Sequence, residues 1–299
     1  TSSIASRLLK ESGKKLHSFS IGLDADAPDA KAAKKVAEYL GTEHHEIHFT
    51  IEQGIEILDK LIWHLETYDV TSIRASTPMY FLSKAITDMG IKVVLSGEGA
   101  DEIFGGYLYF RNAPTVEDFQ KETIERVQKL FTADLLRADK STMAHGLEAR
   151  VPFLDKAFLD MAVRIKPEEK MPKTYDGKEK YILRKAFDTP DNPYLPDEVL
   201  WRQKEQFSDG VGYNWIDQLI EYCSSQVTDE QLAGAEAEFP YNTPTTKEAY
   251  FYRSIFNKYY PQVSAAQTVR KWIPKWQENQ DPSGRANAAH VQADVEIAK

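Results

Sequence analysis

From residue 1 to residue 107 the apolar positions switch between helical and strand spacing, so that short elements follow one another with few residues between them. Ile4, Leu8 and Leu9 share one face of SSIASRLLKESGK, which predicts an amphipathic helix stopping near Gly13. LHSFSIGL (16–23) alternates as a strand and ends at Gly22. PDAKAAKKVAEYLG (28–41) predicts a helix with Gly41 as its stop, and EHHEIHFT (43–50) a second strand. The stretches 51–69 and 76–90 predict two more helices, the latter with Pro78 in its first turn and Gly90 past its end. Val93, Val94 and Leu95 then form a short buried strand.

Strands alternating with helices over short connections predict right-handed crossovers and an α/β fold with an open parallel sheet and flanking helices. Ligands gather at the carboxyl ends of such strands, which would bring together Gly22, Thr71 to Arg74 and Ser96 to Asp101. After Tyr107 the pattern is helical, with helices over 110–146, 154–165, 175–187, 196–204 and 213–227 and no strand. The chain therefore reads as an α/β part over 1–115 and a helical part over 116–275 packed against it, with a polar, mobile tail over 276–299.

The richest chemistry lies in IKVVLSGEGADEIFGGY (91–107), where a buried strand runs straight into a polar turn. Gly97 and Gly99 let the backbone approach a ligand, and Ser96 offers a hydroxyl, so phosphate is a natural guest. Carboxylates in the same turn would repel phosphate unless a divalent cation lay between them. That makes Asp101 the candidate Mg²⁺ ligand. The alternative is a solvated helix N-terminus whose acidic residues answer the helix dipole.

Composition narrows the partners. A formal net charge of -9 argues against a general nucleic-acid binder, so substrate phosphates would need a local cluster of cations. Cys223 is the sole cysteine and cannot form an intrachain disulfide; it reads as a small buried apolar residue in a reducing compartment. No run of apolar residues is long enough to span a membrane and no signal-peptide pattern opens the sequence, so the cytoplasm is the expected setting. His44, His45 and His48 with Glu43 and Glu46 resemble a metal cluster. Alternate side chains on a strand point to opposite faces, however, so all five cannot converge, and no zinc is assigned to them.

SGEGADEIFGGY, with TYDVTSIRASTP (67–78), EARVPFLD (148–155), WRQKEQFSDGVGYNWID (201–217) and EFPYNTPTTKEAYFYR (238–253), resembles the synthetase domain of glutamine-hydrolysing asparagine synthetases. The likeness runs from residue 1 to about residue 287. It implies an adenine nucleotide alpha-hydrolase-like fold of the ATP pyrophosphatase type, with the nucleotide held in the α/β part. It also implies an ATP-dependent carbon–nitrogen ligase: ATP and Mg²⁺ activate the β-carboxylate of aspartate as an adenylate, and ammonia displaces AMP to give asparagine and pyrophosphate. A homodimer is left open.

The resemblance gives the residues roles. Ile21 and Gly22 would offer backbone to adenine, while Ser96 and Gly97 touch the nucleotide and Asp101 holds Mg²⁺. Lys204 would neutralise phosphate charge, with Lys140, Arg150 and Arg202 as a weaker cationic rim. Thr71, Arg74, Asp134 and Arg137 would hold aspartate and its adenylate, the last two gripping the amino and carboxylate groups; without a ligand, Asp134 and Arg137 would be an ordinary i,i+3 ion pair. Glu98 is the expected general base for ammonia, with Tyr107 and Glu102 shaping the site.

Two departures qualify this. The sequence carries no counterpart of the glutaminase half that normally supplies ammonia. Family members also have an S-G-G-x-D-S pyrophosphate loop; Ser2 and Ser3 align with its serines, but Thr1 stands at its aspartate. Weak or absent turnover is therefore expected of these residues alone. A relative that adenylates another carboxylate, as in β-lactam formation, and a non-catalytic nucleotide-binding protein are the competing readings.

Overall fold

The computed structural model describes residues 1–279 and 281–287. The first half follows the predicted order: a helix Ser2–Glu11, strand β1 (His17–Gly22), helix Pro28–Leu40 and strand β2 (Glu43–His48). β1 and β2 pair in parallel over six residues, His17 opposite Glu43 and Gly22 opposite His48. Strand β3 (Val93–Leu95) pairs in parallel with β4 (Glu148–Arg150), a strand the sequence pattern did not predict. Three residues with charges at both ends carry no readable alternation.

The single open sheet is thus corrected to two parallel pairs among the described residues. A cavity of about 450 Å³, lined by His17, Phe19, Val93, Leu95 and Ser2, lies between the edges of β1 and β3. The molecule is a mixed α/β structure dominated by helices. No described helix is long and apolar enough to cross a membrane.

The helix expected over 76–90 starts at Val70, with the Asp69 side chain accepting from the Ser72 N–H as its cap. Pro78 therefore sits mid-helix, not in the first turn. Proline has no N–H to offer the carbonyl four residues back, which here is Arg74. The indole N–H of Trp215 fills that vacancy, donating to the Arg74 carbonyl at 2.9 Å. The stretch 51–69 is likewise two helices, Ile51–Glu56 and Leu58–Leu65, and the predicted helices over 175–187 and 196–204 shrink to Tyr181–Ala186 and Asp197–Leu200.

The main apolar core draws on both sides of residue 115. Phe49, Leu61, Leu65 and Ile73 pack with Trp215, Leu219, Tyr252 and Phe256, and Cys223 is buried among them. Burial pushes the Cys223 thiol up to about 12, which leaves it no thiolate character. The described part of the expected tail is a docked strap, not a free one. Ser283, Gly284 and Arg285 all donate to the fully buried Asp209, and Asp281 pairs with Arg74. The rest of that tail, residues 280 and 288–299, lies outside the described residues.

Candidate active site

The turn after β3 is built for close approach. The Ser96 N–H continues the β3–β4 ladder by donating to the Arg150 carbonyl at 2.8 Å, fixing where the turn departs. Nothing stands within 4 Å of where a side chain would project from Gly97. A short helix, Ala100–Phe104, follows and swings Asp101 inward. A side chain on Gly106 would begin 1.9 Å from the Asp101 carboxylate, so only glycine leaves that carboxylate its place.

Thr71, Ser96, Gly97, Glu98, Asp101, Asp134, Arg137 and Lys204 line one cavity of about 240 Å³, closed by Tyr107 and Trp272. Both Glu98 carboxylate oxygens accept from Arg137 Nη2, at 3.1 and 3.2 Å, and Asp134 stands 3.7 Å from the same nitrogen. Burial raises the Glu98 carboxyl above its ordinary range; Arg137 opposes the shift and Asp134 adds to it. The Thr71 hydroxyl and the Trp272 indole N–H are buried without a protein partner. Such orphaned groups mark a place where a ligand's polar atoms are wanted.

Asp101 is the opposite electrostatic case. Burial alone would raise its carboxyl, but Lys180 at 2.9 Å and Lys204 at 3.8 Å outweigh burial and hold it below the usual range. Glu179, almost fully buried, positions this cationic side. It accepts from Arg111 and Arg184 at 3.0 Å each and from the Lys204 backbone N–H at 2.6 Å. Behind the cavity, the Tyr107 hydroxyl donates to Glu102 at 2.5 Å. Burial, then Asp134 and Asp101, lift the Glu102 carboxyl to about 8.

The family model for asparagine synthase matches residues 1–124 and 111–282. This chain belongs to the asparagine synthase family. It is 59% identical over 282 residues to a probable glutamine-hydrolyzing asparagine synthetase of Dictyostelium discoideum, covering 93% of this chain and 50% of that protein. It is 58% identical over 282 residues to asparagine synthetase 1 of Saccharomyces cerevisiae, covering 92% of this chain and 49% of that one. The root enzyme of Pisum sativum is 56% identical over 288 residues, with 92% and 49% covered. The chain spans about half the length of the curated relatives it matches.

Three expected site residues fall outside the cavity. Ile21 is buried in the main core, and Gly22 lies beside Ala27 and the Val211 carbonyl; neither lines the cavity. Arg74 points into a different recess, where Glu248 and Asp281 take its whole guanidinium. The weaker cationic rim is also displaced: Lys140 pairs with Glu66, Arg150 with Glu148 and Arg202 with Asp29. Lys180 and Arg184 supply the positive charge instead. Their signal was the run KEKYILRK (178–185), four basic residues among which Lys180 and Arg184 stand four apart.

Proposed function

We propose that this cavity carries a synthetase reaction in which ATP activates the β-carboxylate of aspartate and ammonia displaces AMP to give asparagine. The observation that supports it most is the meeting of Asp134, Arg137, Glu98, Asp101 and Lys204, from three distant stretches of chain, around about 240 Å³. That volume suits an amino acid. The nucleotide needs more room, and the adjoining cavity of about 450 Å³, which shares Ser96, offers it. We read the two parallel strand pairs as parts of one nucleotide-binding arrangement of the ATP pyrophosphatase type.

Each residue has a task. Arg137, held by one nitrogen to Glu98, has donors left to offer an incoming carboxylate, and Asp134 beside it suits the amino group. The aspartate β-carboxylate attacks the α-phosphorus, a phosphorus–oxygen bond forms, and pyrophosphate leaves with the bridging electron pair. Lys204 and Lys180 offset the charge that builds on the departing phosphates. Asp101, held ionised, fits Mg²⁺ as a lone carboxylate ligand, and the ion when bound neutralises phosphate charge. Ammonia then attacks the acyl carbon, the carbon–oxygen bond to AMP breaks, and Glu98, raised by burial, takes the proton. The relatives' names point to glutamine hydrolysis as the ammonia source, and the buried unpaired Cys223 fits a reducing, cytoplasmic setting.

Isotope exchange between ATP and pyrophosphate separates the two halves. Aspartate-dependent exchange is expected, at a low rate, and should vanish in Lys204→Gln. In Glu98→Gln exchange should persist while asparagine formation is lost. Exchange that ignores aspartate, or asparagine made at the parent rate by Glu98→Gln, would overturn the assignment.

A further inference from the structure

At the start of the β1–β2 pair, opposite the end that bears Gly22, three metal-ligating side chains share one face. The register sets His17 opposite Glu43, and His45 lies two residues further along β2, so strand alternation sends all three the same way. The same alternation sends His44, Glu46 and His48 to the other side. There both ring nitrogens of His44 are taken by Ser18 and Ser20, and His48 faces Glu46. The histidine-rich run on β2 is thus split between two faces, and its outer half is completed by a residue of β1.

The ligand atoms themselves converge. His17 Nδ1 lies 3.1 Å from His45 Nε2, and the nearer oxygen of Glu43 lies 3.8 Å from the first and 3.9 Å from the second. A triangle with those edges has its circumcentre about 2.1 Å from every corner. Zinc bonds imidazole nitrogen at about 2.0–2.1 Å and carboxylate oxygen at about 2.0–2.2 Å. The two imidazole planes are within 7° of each other, and Phe19 stacks on His45 with ring centroids 4.9 Å apart, which steadies that ring. His17 and Glu43 are about half exposed, so an ion can reach them from solvent.

We propose that His17, His45 and Glu43 form a binding site for a zinc-class divalent cation that clips β1 to β2, with water completing its coordination. Two nitrogens and one oxygen select first-row transition ions over Mg²⁺, which prefers oxygen alone. At present the 3.1 Å contact makes one imidazole nitrogen donate to the other, so a single proton occupies the gap. For both nitrogens to bind a divalent ion, the donating ring takes its other neutral tautomer, its proton passing by way of water to the far ring nitrogen, and the rings rotate slightly. The clip ties together the strand that leads to Gly22 and its neighbour, outside the cavity of Glu98 but beside the cavity of about 450 Å³ that His17 also lines.

The test uses tag-free protein freed of metal with chelator and held in excess Mg²⁺ to saturate oxygen-only sites. Co²⁺ is titrated while its visible absorption is followed, and Zn²⁺ then competes it away. One equivalent is expected, with an absorption band of nitrogen-ligated cobalt. His17→Asn and His45→Asn should each weaken binding at least about tenfold, since even outer partners of metal ligands typically cost about 10–100-fold. Glu43→Gln, at an exposed side chain, serves as a third variant whose folding is not at risk. His44→Asn and His48→Asn should leave affinity unchanged. No stoichiometric binding, or binding that persists unchanged without His17, His45 and Glu43, would show a hydrogen-bonded imidazole pair only and overturn the proposal.

Discussion

Two buried arginines, Arg74 and Arg137, carry the same promise in the sequence and have opposite fates in the structure. Arg74 spends Nε, Nη1 and Nη2 on four hydrogen bonds of 2.6–3.2 Å to Glu248 and Asp281, and the Tyr252 hydroxyl braces Glu248 at 3.1 Å. Arg137 gives only Nη2 to Glu98, while its Nη1 faces the Met79 sulfur at 3.8 Å. Burial opposes the charge of each, and the adjacent carboxylates outweigh it in both. The two arginines therefore differ in the number of donors left over, not in burial or charge.

The comparison is broken most forcefully at Arg74. Arg74→Gln leaves the buried Glu248 carboxylate facing Asp281 without its partner, and loss of one partner of a buried pair costs about 3–5 kcal/mol. Urea unfolding should register that loss; a change under about 1 kcal/mol would mean that Arg74 is not structural. Arg137→Gln should cost less stability, about 1–2 kcal/mol, because the Glu98 carboxyl is already raised and can take a proton in place of its partner.

Glu102 sharpens the picture through pH. Its folded carboxyl titrates near 8, above the ordinary value near 4.5, so the folded state holds a proton that the unfolded state has released in between. Stability from this group is present below pH ~4.5 and is lost as pH rises to about 8. Glu102→Gln keeps an acceptor for Tyr107 and removes the titration. It should leave stability near pH 4.5 little changed and raise it at pH 8 by a few kcal/mol, on the order of 1–3. Parallel stability–pH curves for parent and variant would contradict the raised carboxyl. The smallest effect belongs to Pro78→Ala: Trp215 already serves the Arg74 carbonyl, so stability should move by less than about 1 kcal/mol.

These residues also show what the sequence can reveal. β1, β2 and the helix Pro28–Leu40 were legible because period and stop signals agree locally, as at Gly41, which adopts a left-handed conformation. The polar turn from Ser96 to Asp101 was legible for the same reason. β4 was not, since its three residues are defined only by pairing with β3. The start of the helix at Val70 was hidden because Pro78 looked like a first-turn proline, and only Trp215, far along the chain, makes its mid-helix place tolerable. The pairing of Arg74 was not legible because its partners lie 174 and 207 residues away. Glu179 and Lys180 escaped notice because a charged run looks the same whether it faces solvent or folds inward. Lys180 does so with a left-handed backbone, φ 56°, that no local rule requires.

The most direct test of the central claim is calorimetric titration of a non-hydrolysable aspartyl-adenylate analogue into the parent chain, Arg137→Gln and Lys204→Gln. Binding requires no turnover, so the readout does not depend on the rate of either chemical step. The account predicts saturable binding by the parent and a loss of at least about tenfold, roughly 1.4 kcal/mol, in each variant. Equal affinity across all three proteins would place the ligand elsewhere and contradict it.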